Sequence, residues 1–289
     1  MTKYFVMLWA MMTTAVAADL REVGTDLLGL EASRALYGLA GRAALPLALA
    51  FDGSHPGLDQ LKAGHADLAL LVLPPGEAAA LAGFESITLG YPCVVVVVPS
   101  IISLEQVTLG QLRDIFGESG SHNLSRWGDL GLAGDIAASA IVPQIPVVGQ
   151  GIAAEFFRQN VLKGRPFKST VGRYASSAEL VLRLTGDRRA MALAPVRPAE
   201  AASLRLVPVA LRADEPAFSP TPENLHSGDY PLGLPLRIVV RSASAQSLRP
   251  LLRFLLSDDF AAVLEHAEVV PLAPAARRQQ LSLLEKRQF

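Results

Sequence analysis

Five consecutive valines, Val94–Val98 in the stretch YPCVVVVVPS, constrain this chain more than any other feature. A strand that is apolar on both faces must be covered on both faces, as at a central position of a sheet. The surrounding sequence alternates between strand-like and helix-like segments, and that alternation predicts an α/β fold. LREVGTDLL reads as a strand running into a turn, and LLGLEASRALYGLAGR follows at helical spacing with Leu27, Leu30, Ala35 and Leu39 inward. PLALAFDGSHPG predicts a strand ending in a Gly-Ser turn, and GLDQLKAGHADLALLVLPP a helix leading into a strand. SLEQVTLGQLRDIFGES predicts one or two helices, with Ser103 as N-cap and Glu105 near the first turn. NLSRWGDLGL reads as a short capped turn with Trp127 as a packing anchor. Later segments predict a helix (SSAELVLRLTGD), strands (RAMALAP, LRLVPVAL), a Pro-rich loop (DEPAFSPTPENLHSGDYP), a strand (LRIVVRS) and a helix pair begun or kinked at Pro250.

The strands at 93–99 and 235–241 bracket a block of about 130 residues, itself the size of a domain. This predicts a discontinuous lobe I (19–92 and 232–289), a lobe II (93–231) and two crossing strands. Clefts between such lobes are preferred ligand sites. Residues 1–18 read as a signal peptide: Lys3 precedes an apolar run, and Ala15, Ala17 and Ala18 suit cleavage. The run is shorter than the roughly 20 residues a membrane-spanning helix needs. With no cysteine near the cleavage point, no lipid anchor is expected there. The expected location is periplasmic or secreted.

Composition narrows the partners. The formal net charge of −1 and the lack of a basic run argue against nucleic acid. A single cysteine, Cys93, excludes an intrachain disulfide and reads as a small buried residue. No G-x-S-x-G elbow or metal box appears, so no enzymatic activity and no cofactor are expected.

The stretch IPVVGQGIAAEFFRQNVL, residues 145–162, reads as a buried strand, a glycine turn and a helix start. Such a turn presents free backbone amides to an anion. Together with VGTDLLGLEASRAL, FDGSHPGLDQLKAGHADLALL and SPTPENLHSGDYPLGLPLRIVV it occurs in an order that resembles the periplasmic phosphate-binding proteins of ABC transporters. The resemblance is most specific after the valines, where Leu109, Leu112, Ile115, Phe116, Gly117, Trp127, Asp129 and Leu130 fit the family's pattern. It implies a two-lobed type II solute-binding fold, with the ligand held by three loops, an arginine and an aspartate that accepts from protonated phosphate. By this likeness the first loop offers Gly24 and Thr25, the second Gly53 and Ser54, and the third Gly149, Gln150, Gly151 and Ile152.

The likeness fails at the charged positions. Leu71 to Leu73 stand where the aspartate would fall, Asp67 belongs to the helix–strand junction, and Ile145–Gly149 contain no arginine. A hydrogen bond to a charged group contributes about 1.5–3 kcal/mol, and about 1.4 kcal/mol is a factor of ten in affinity. Losing several such bonds predicts phosphate binding weakened by decades. A helix N-terminus alone returns only about 0.3–1 kcal/mol toward an anion. Arg173, beside Tyr174, is the candidate replacement cation. Thr25 and Ser54 serve equally well as turn or N-cap residues, the glycines as mere turn formers, and His55, beside Pro56, lacks metal-ligand partners at zinc-like spacing. The implied function is binding of a small anionic or polar solute for an ABC permease, by a monomer without a stable membrane anchor. The competing reading is an interaction protein on a degenerate binding-protein fold.

Overall fold

The computed structural model describes residues 20–24, 33–38, 41, 47–73, 77, 81–118, 122–147, 152–195 and 203–286. The expected signal peptide, Thr25, Gly149, Gln150 and Gly151 lie outside the described residues.

The chain opens with β1 (Leu20–Gly24), a helical stretch α1 (33–38), β2 (Leu47–Ala50), α2 (Ser54–Ala63), β3 (Leu68–Val72) and β4 (Phe84–Pro92). It crosses into β5 (Val95–Pro99), β6 (Val107–Thr108), α3 (Leu109–Phe116), a 3₁₀ turn (Trp127–Leu130), β7 (Val142–Pro146) and α4 (Ile152–Asn160). Then come β8 (Gly172–Tyr174), α5 (Ser177–Gly186), β9 (Ala190–Ala194), β10 (Leu204–Val207), β11 (Val209–Ala210), β12 (Ala217–Phe218) and α6 (Pro222–Ser227). It returns through β13 (Leu236–Arg241), α7 (Arg249–Leu255), α8 (Asp258–His266), β14 (Val269–Pro271) and α9 (Pro274–Lys286).

Two sheets define two lobes. The first lobe's sheet has six strands in the order β14-β4-β13-β3-β1-β2, so it takes strands from both ends of the chain. β1 runs parallel to β2 and β3, while β13 is antiparallel to both β3 and β4. Side chains alternate across it as the pleat requires. Val23, Ala69, Leu71 and Val239 share a core with Leu58 and Leu61 of α2. Leu68, Leu70, Ile238 and Val240 join the larger core, which includes Leu251 and Leu252 of α7 and Phe260 of α8. Glu22 interrupts that face. It is fully buried, stands opposite Leu49 and Leu68, and neither carboxyl oxygen has a hydrogen-bond partner among the described residues. Burial pushes its pKa up to about 8.

The second lobe's sheet has five strands in the order β10-β5-β9-β7-β8, with a small sheet β12-β11-β6 beside it. The valine strand β5 lies between β10 and β9 with every residue buried, as its two apolar faces require. Trp127 is fully buried and its indole N–H donates to the Arg189 carbonyl at 3.2 Å.

Three local expectations need correction. Ser103 does not cap a helix. Ile102 and Leu104 are buried while Ser103 and Glu105 are exposed, a two-residue alternation typical of extended chain. The helix starts at Leu109, after Val107–Thr108 pairs with Val209–Ala210, and Thr108 and Gln111 form a reciprocal capping box. LRLVPVAL is not one strand: Pro208 divides it into β10 and β11, which belong to different sheets. The Pro-rich loop contains β12 and also α6, capped by Thr221 with Pro222 in its first turn.

The lobes are joined by two short antiparallel segments. Cys93 and Gly233 form a bridge, Val94 N–H donates to the Leu232 carbonyl at 2.9 Å, and Leu234 N–H to the Pro92 carbonyl at 3.1 Å. The buried Tyr230 hydroxyl donates to the Val94 carbonyl at 2.7 Å. Cys93 is buried here, its Sγ 3.5 Å from the Pro195 carbonyl, and burial pushes the thiol up to about 12. It is a packing residue, not a nucleophile.

Candidate ligand-binding site

The start of α2 is built by close backbone contact. Gly24 has φ +139°, and a Cβ there would sit 2.0 Å from the Leu70 carbonyl oxygen. A Cβ on Gly57 would meet the Gly24 Cα at 2.7 Å. Two glycines therefore let the first turn of α2 rest against the end of β1. Gly53, with φ +115°, is the N-cap residue and its N–H donates to the Gly24 carbonyl at 2.8 Å. The Gly53 amide is thus committed within the fold. Gly57 N–H closes the first turn on the Gly53 carbonyl at 3.0 Å, and Pro56 has no N–H. The first-turn amides left to meet a ligand are those of Ser54 and His55.

Ser54 does not cap its own helix. Its Oγ accepts from Val72 N–H at 2.9 Å, tying the helix start to the end of β3. The hydroxyl proton remains available for donation, so Ser54 is a donor toward an anion and a structural acceptor at once. His55 Nε2 lies 2.7 Å from a Glu77 carboxylate oxygen, both groups being exposed.

At the position of the family's aspartate, Leu71, Val72 and Leu73 are all buried. Leu71 packs under α2, and the next described carboxylate along the chain, Glu77, is engaged by His55. Asp67 sits at the other end of β3, where it accepts from Arg21 N–H at 3.0 Å and donates its own N–H to the Arg21 carbonyl at 2.9 Å. Its role is to pin β1 to β3.

On the facing lobe, β7 ends at Pro146 and Val147 N–H donates to the Tyr174 carbonyl at 2.9 Å. The chain resumes at Ile152 as the first residue of α4, which is anchored by buried Ala153, Ala154, Phe156 and Phe157. The first turn of α4 carries Glu155, a residue that the glycine turn drew attention away from. Arg158 Nε donates to it at 2.9 Å and Gln159 at 2.8 Å, and the guanidinium holds its pKa below the usual carboxylate value. The helix's positive end already has an acidic neighbour, so α4 is a weaker anion anchor than a bare N-terminus. Arg173 is exposed on β8, whereas the Tyr174 hydroxyl is buried and donates to the Leu193 carbonyl at 2.7 Å. Behind them, Arg183 bridges Glu179 and the buried Gln144.

A second cation, within the late motif that ends in LRIVV, stands beside the altered position. Arg237 on β13 is the register partner of Leu71, and on its other side pairs with Thr88 of β4. Its only sequence signal is a charge inside the apolar alternation of LRIVVR. Among the described residues, no group of three or more His, Cys, Asp or Glu could hold a metal ion, and no helix is long and apolar enough to cross a membrane.

No protein-family model and no curated protein matches the chain. Solved structures do. A possible phosphate-binding protein from Planctomyces limnophilus aligns over 94% of this chain and 99% of its own, at 18% identity and a TM-score of 0.77. PstS from Borrelia burgdorferi aligns over 88% and 98%, at 15% identity and a TM-score of 0.67. An ABC-type phosphate transport receptor from Vibrio cholerae aligns over 87% and 99%, at 19% identity and a TM-score of 0.59. The fold is therefore that of the two-lobed phosphate-binding proteins, with a discontinuous first lobe. Ligand identity does not follow from fold.

Proposed function

We propose that the chain is an exported solute-binding protein that takes a small oxyanion or related polar solute between its lobes and delivers it to an ABC permease. In this reading residues 1–18 are a cleaved signal peptide, 19–92 and 232–289 form lobe I, and 93–231 form lobe II. The protein binds and releases its ligand without chemistry and works as a monomer. The ligand contacts come from Gly24, Thr25 and Ser54 on one lobe and from Gly149, Gln150, Gly151 and Ile152 on the other. Gly53 contributes by shaping the turn.

The observation that supports an altered specificity is the all-apolar end of β3, held against Ser54, whose Oγ accepts from Val72 N–H and whose hydroxyl proton is free to be donated. The nearby carboxylates are engaged, Glu77 by His55 and Glu155 by Arg158. Without an aspartate at the end of β3 the site lacks the acceptor that the resemblance assigns to the proton of a protonated phosphate. It loses the feature that separates phosphate from a fully ionised oxyanion such as sulfate. Phosphate and sulfate are therefore expected to bind within about tenfold of each other, a difference below about 1.4 kcal/mol. A thermal-shift and calorimetric panel of phosphate, sulfate, phosphonates and small organic acids tests this. A specific ligand at 100 times its Kd stabilises by about 2.7 kcal/mol. Sub-micromolar phosphate binding with no response to sulfate would overturn the reading of the site. Silence across the whole panel would favour an interaction protein on the same fold.

A further inference from the structure

A cavity of about 590 Å³ lies where the crossing segments enter lobe I, between the ends of β3, β4 and β13 and the helices α6 and α9. Its volume falls in the range of roughly 300–1,000 Å³ typical of small-molecule sites. Its polar wall is made of Thr88, Tyr91, Arg237, His226, Gln279 and Gln280. Among the described residues no carboxylate lines it.

Arg237 is half-buried and has neither an ion pair nor a hydrogen bond among the described residues. A partly desolvated guanidinium without a partner is an unusual thing for a fold to keep, because its planar fork of donors is suited to a carboxylate or phosphate. Thr88 is its register neighbour, which places a hydroxyl beside the guanidinium. Tyr91 Oη lies 3.2 Å from His226 Nδ1. Burial raises the Tyr91 phenol above its ordinary value while the Arg237 charge draws it down, so the two groups share one electrostatic environment. Leu73, Leu225 and Leu272, all largely buried, together with Pro235 and Ala276 supply its apolar wall.

We propose that this hinge cavity is a second binding site, for a small organic carboxylate whose charge sits on Arg237 and whose apolar body packs on Leu73, Leu225 and Leu272. The apolar wall and the volume favour a carboxylate with a hydrocarbon body over a bare inorganic oxyanion. The described lining includes none of the loop residues proposed above for the solute, although it draws on both lobes, Leu225 to Gly228 from the second and Leu73, Tyr91 and Arg237 from the first. Tyr91 and Gly233 flank or belong to the two crossing segments, so the ligand rests against the hinge itself.

Calorimetric titration with benzoate, and separately with inorganic phosphate, tests the proposal at constant ionic strength set by chloride. Saturable benzoate binding is expected in the native protein. It should weaken by about tenfold or more in Arg237→Gln, in line with loss of a charged hydrogen-bonding partner, and persist in Ser54→Ala. A second measurement does not depend on the variant folding: benzoate should protect Arg237 of the native protein from phenylglyoxal, as read by peptide mass mapping. Absent saturation, equal affinity in Arg237→Gln, or unprotected Arg237 would each overturn the proposal. Benzoate binding lost in Ser54→Ala but kept in Arg237→Gln would place it in the interlobe loops and also overturn it. Arg237-dependent binding of phosphate but not benzoate would overturn the carboxylate class. Failure of phosphate or sulfate to bind at the loops leaves this test unaffected, so the two readings fail independently.

Discussion

Glu22 is an acidic residue wholly enclosed in the sheet of the first lobe. Its carboxyl is enclosed between strands whose neighbouring side chains are leucines, and it has no hydrogen-bond partner among the described residues. An ionised carboxylate there is costly, so the folded protein keeps its proton up to a pKa of about 8, against 4.5 unfolded. Between those values the native state holds one more proton than the unfolded state, and stability falls as pH rises. The favourable contribution is complete below pH 4.5 and is lost as pH passes 8. In Glu22→Gln the falling limb should flatten, the gap to the native protein growing by up to about 1.4 kcal/mol per pH unit in that window. Urea unfolding of both proteins from pH 5 to 9 checks this, and parallel curves would show that the carboxyl has a partner. The sequence offered Ser54 as a ligand or N-cap residue by a local rule, and the structure gives the N-cap position to Gly53 instead. The role the structure does show, accepting from Val72 N–H, was not readable, since it depends on where a strand eighteen positions later comes to rest. Arg237 was hidden for the same reason: its lack of a partner is a property of β3, β4 and α9 together.

Among the elements, β5 was readable because two apolar faces admit only a central position, whatever surrounds it. The entry to α3 was misread because Ser103 and Thr108 are both good N-caps, and the choice was made by β11, about a hundred residues away. Only one of the two caps is engaged. Thr108→Ala should therefore destabilise by about 1 kcal/mol, the usual worth of an N-cap. Ser103→Ala, at an exposed extended position, should stay within about 0.5 kcal/mol. Chemical denaturation of the two variants decides it, and equal effects would contradict the capping box. The α4 entry teaches a related lesson. A glycine turn before a helix reads as an anion anchor, but Glu155 and Arg158 already form an ion pair within the first turns of that helix.

For the whole molecule, the order of motifs was enough to read two lobes and a discontinuous first one, because long-range pairing follows from which strands must be covered. The character of the hinge was less accessible. The lobes are joined by a few backbone hydrogen bonds and the Tyr230 hydroxyl on the Val94 carbonyl. Removing that hydroxyl leaves a buried carbonyl with one partner fewer. Tyr230→Phe should destabilise by about 1–3 kcal/mol, the desolvation penalty of an unmet polar group. A midpoint unchanged in denaturant would show that water replaces the hydroxyl.

The bridge between Cys93 and Gly233 also says something about how such a molecule can be assembled. Paired residues in an antiparallel ladder lie roughly 5 Å apart, so the chain leaves the first lobe and re-enters it at nearly the same point. The second lobe is in effect a guest seated in a single slot of its host. A short turn closing that slot would restore an unbroken first lobe, and any module whose two ends lie equally close could be seated there in its place.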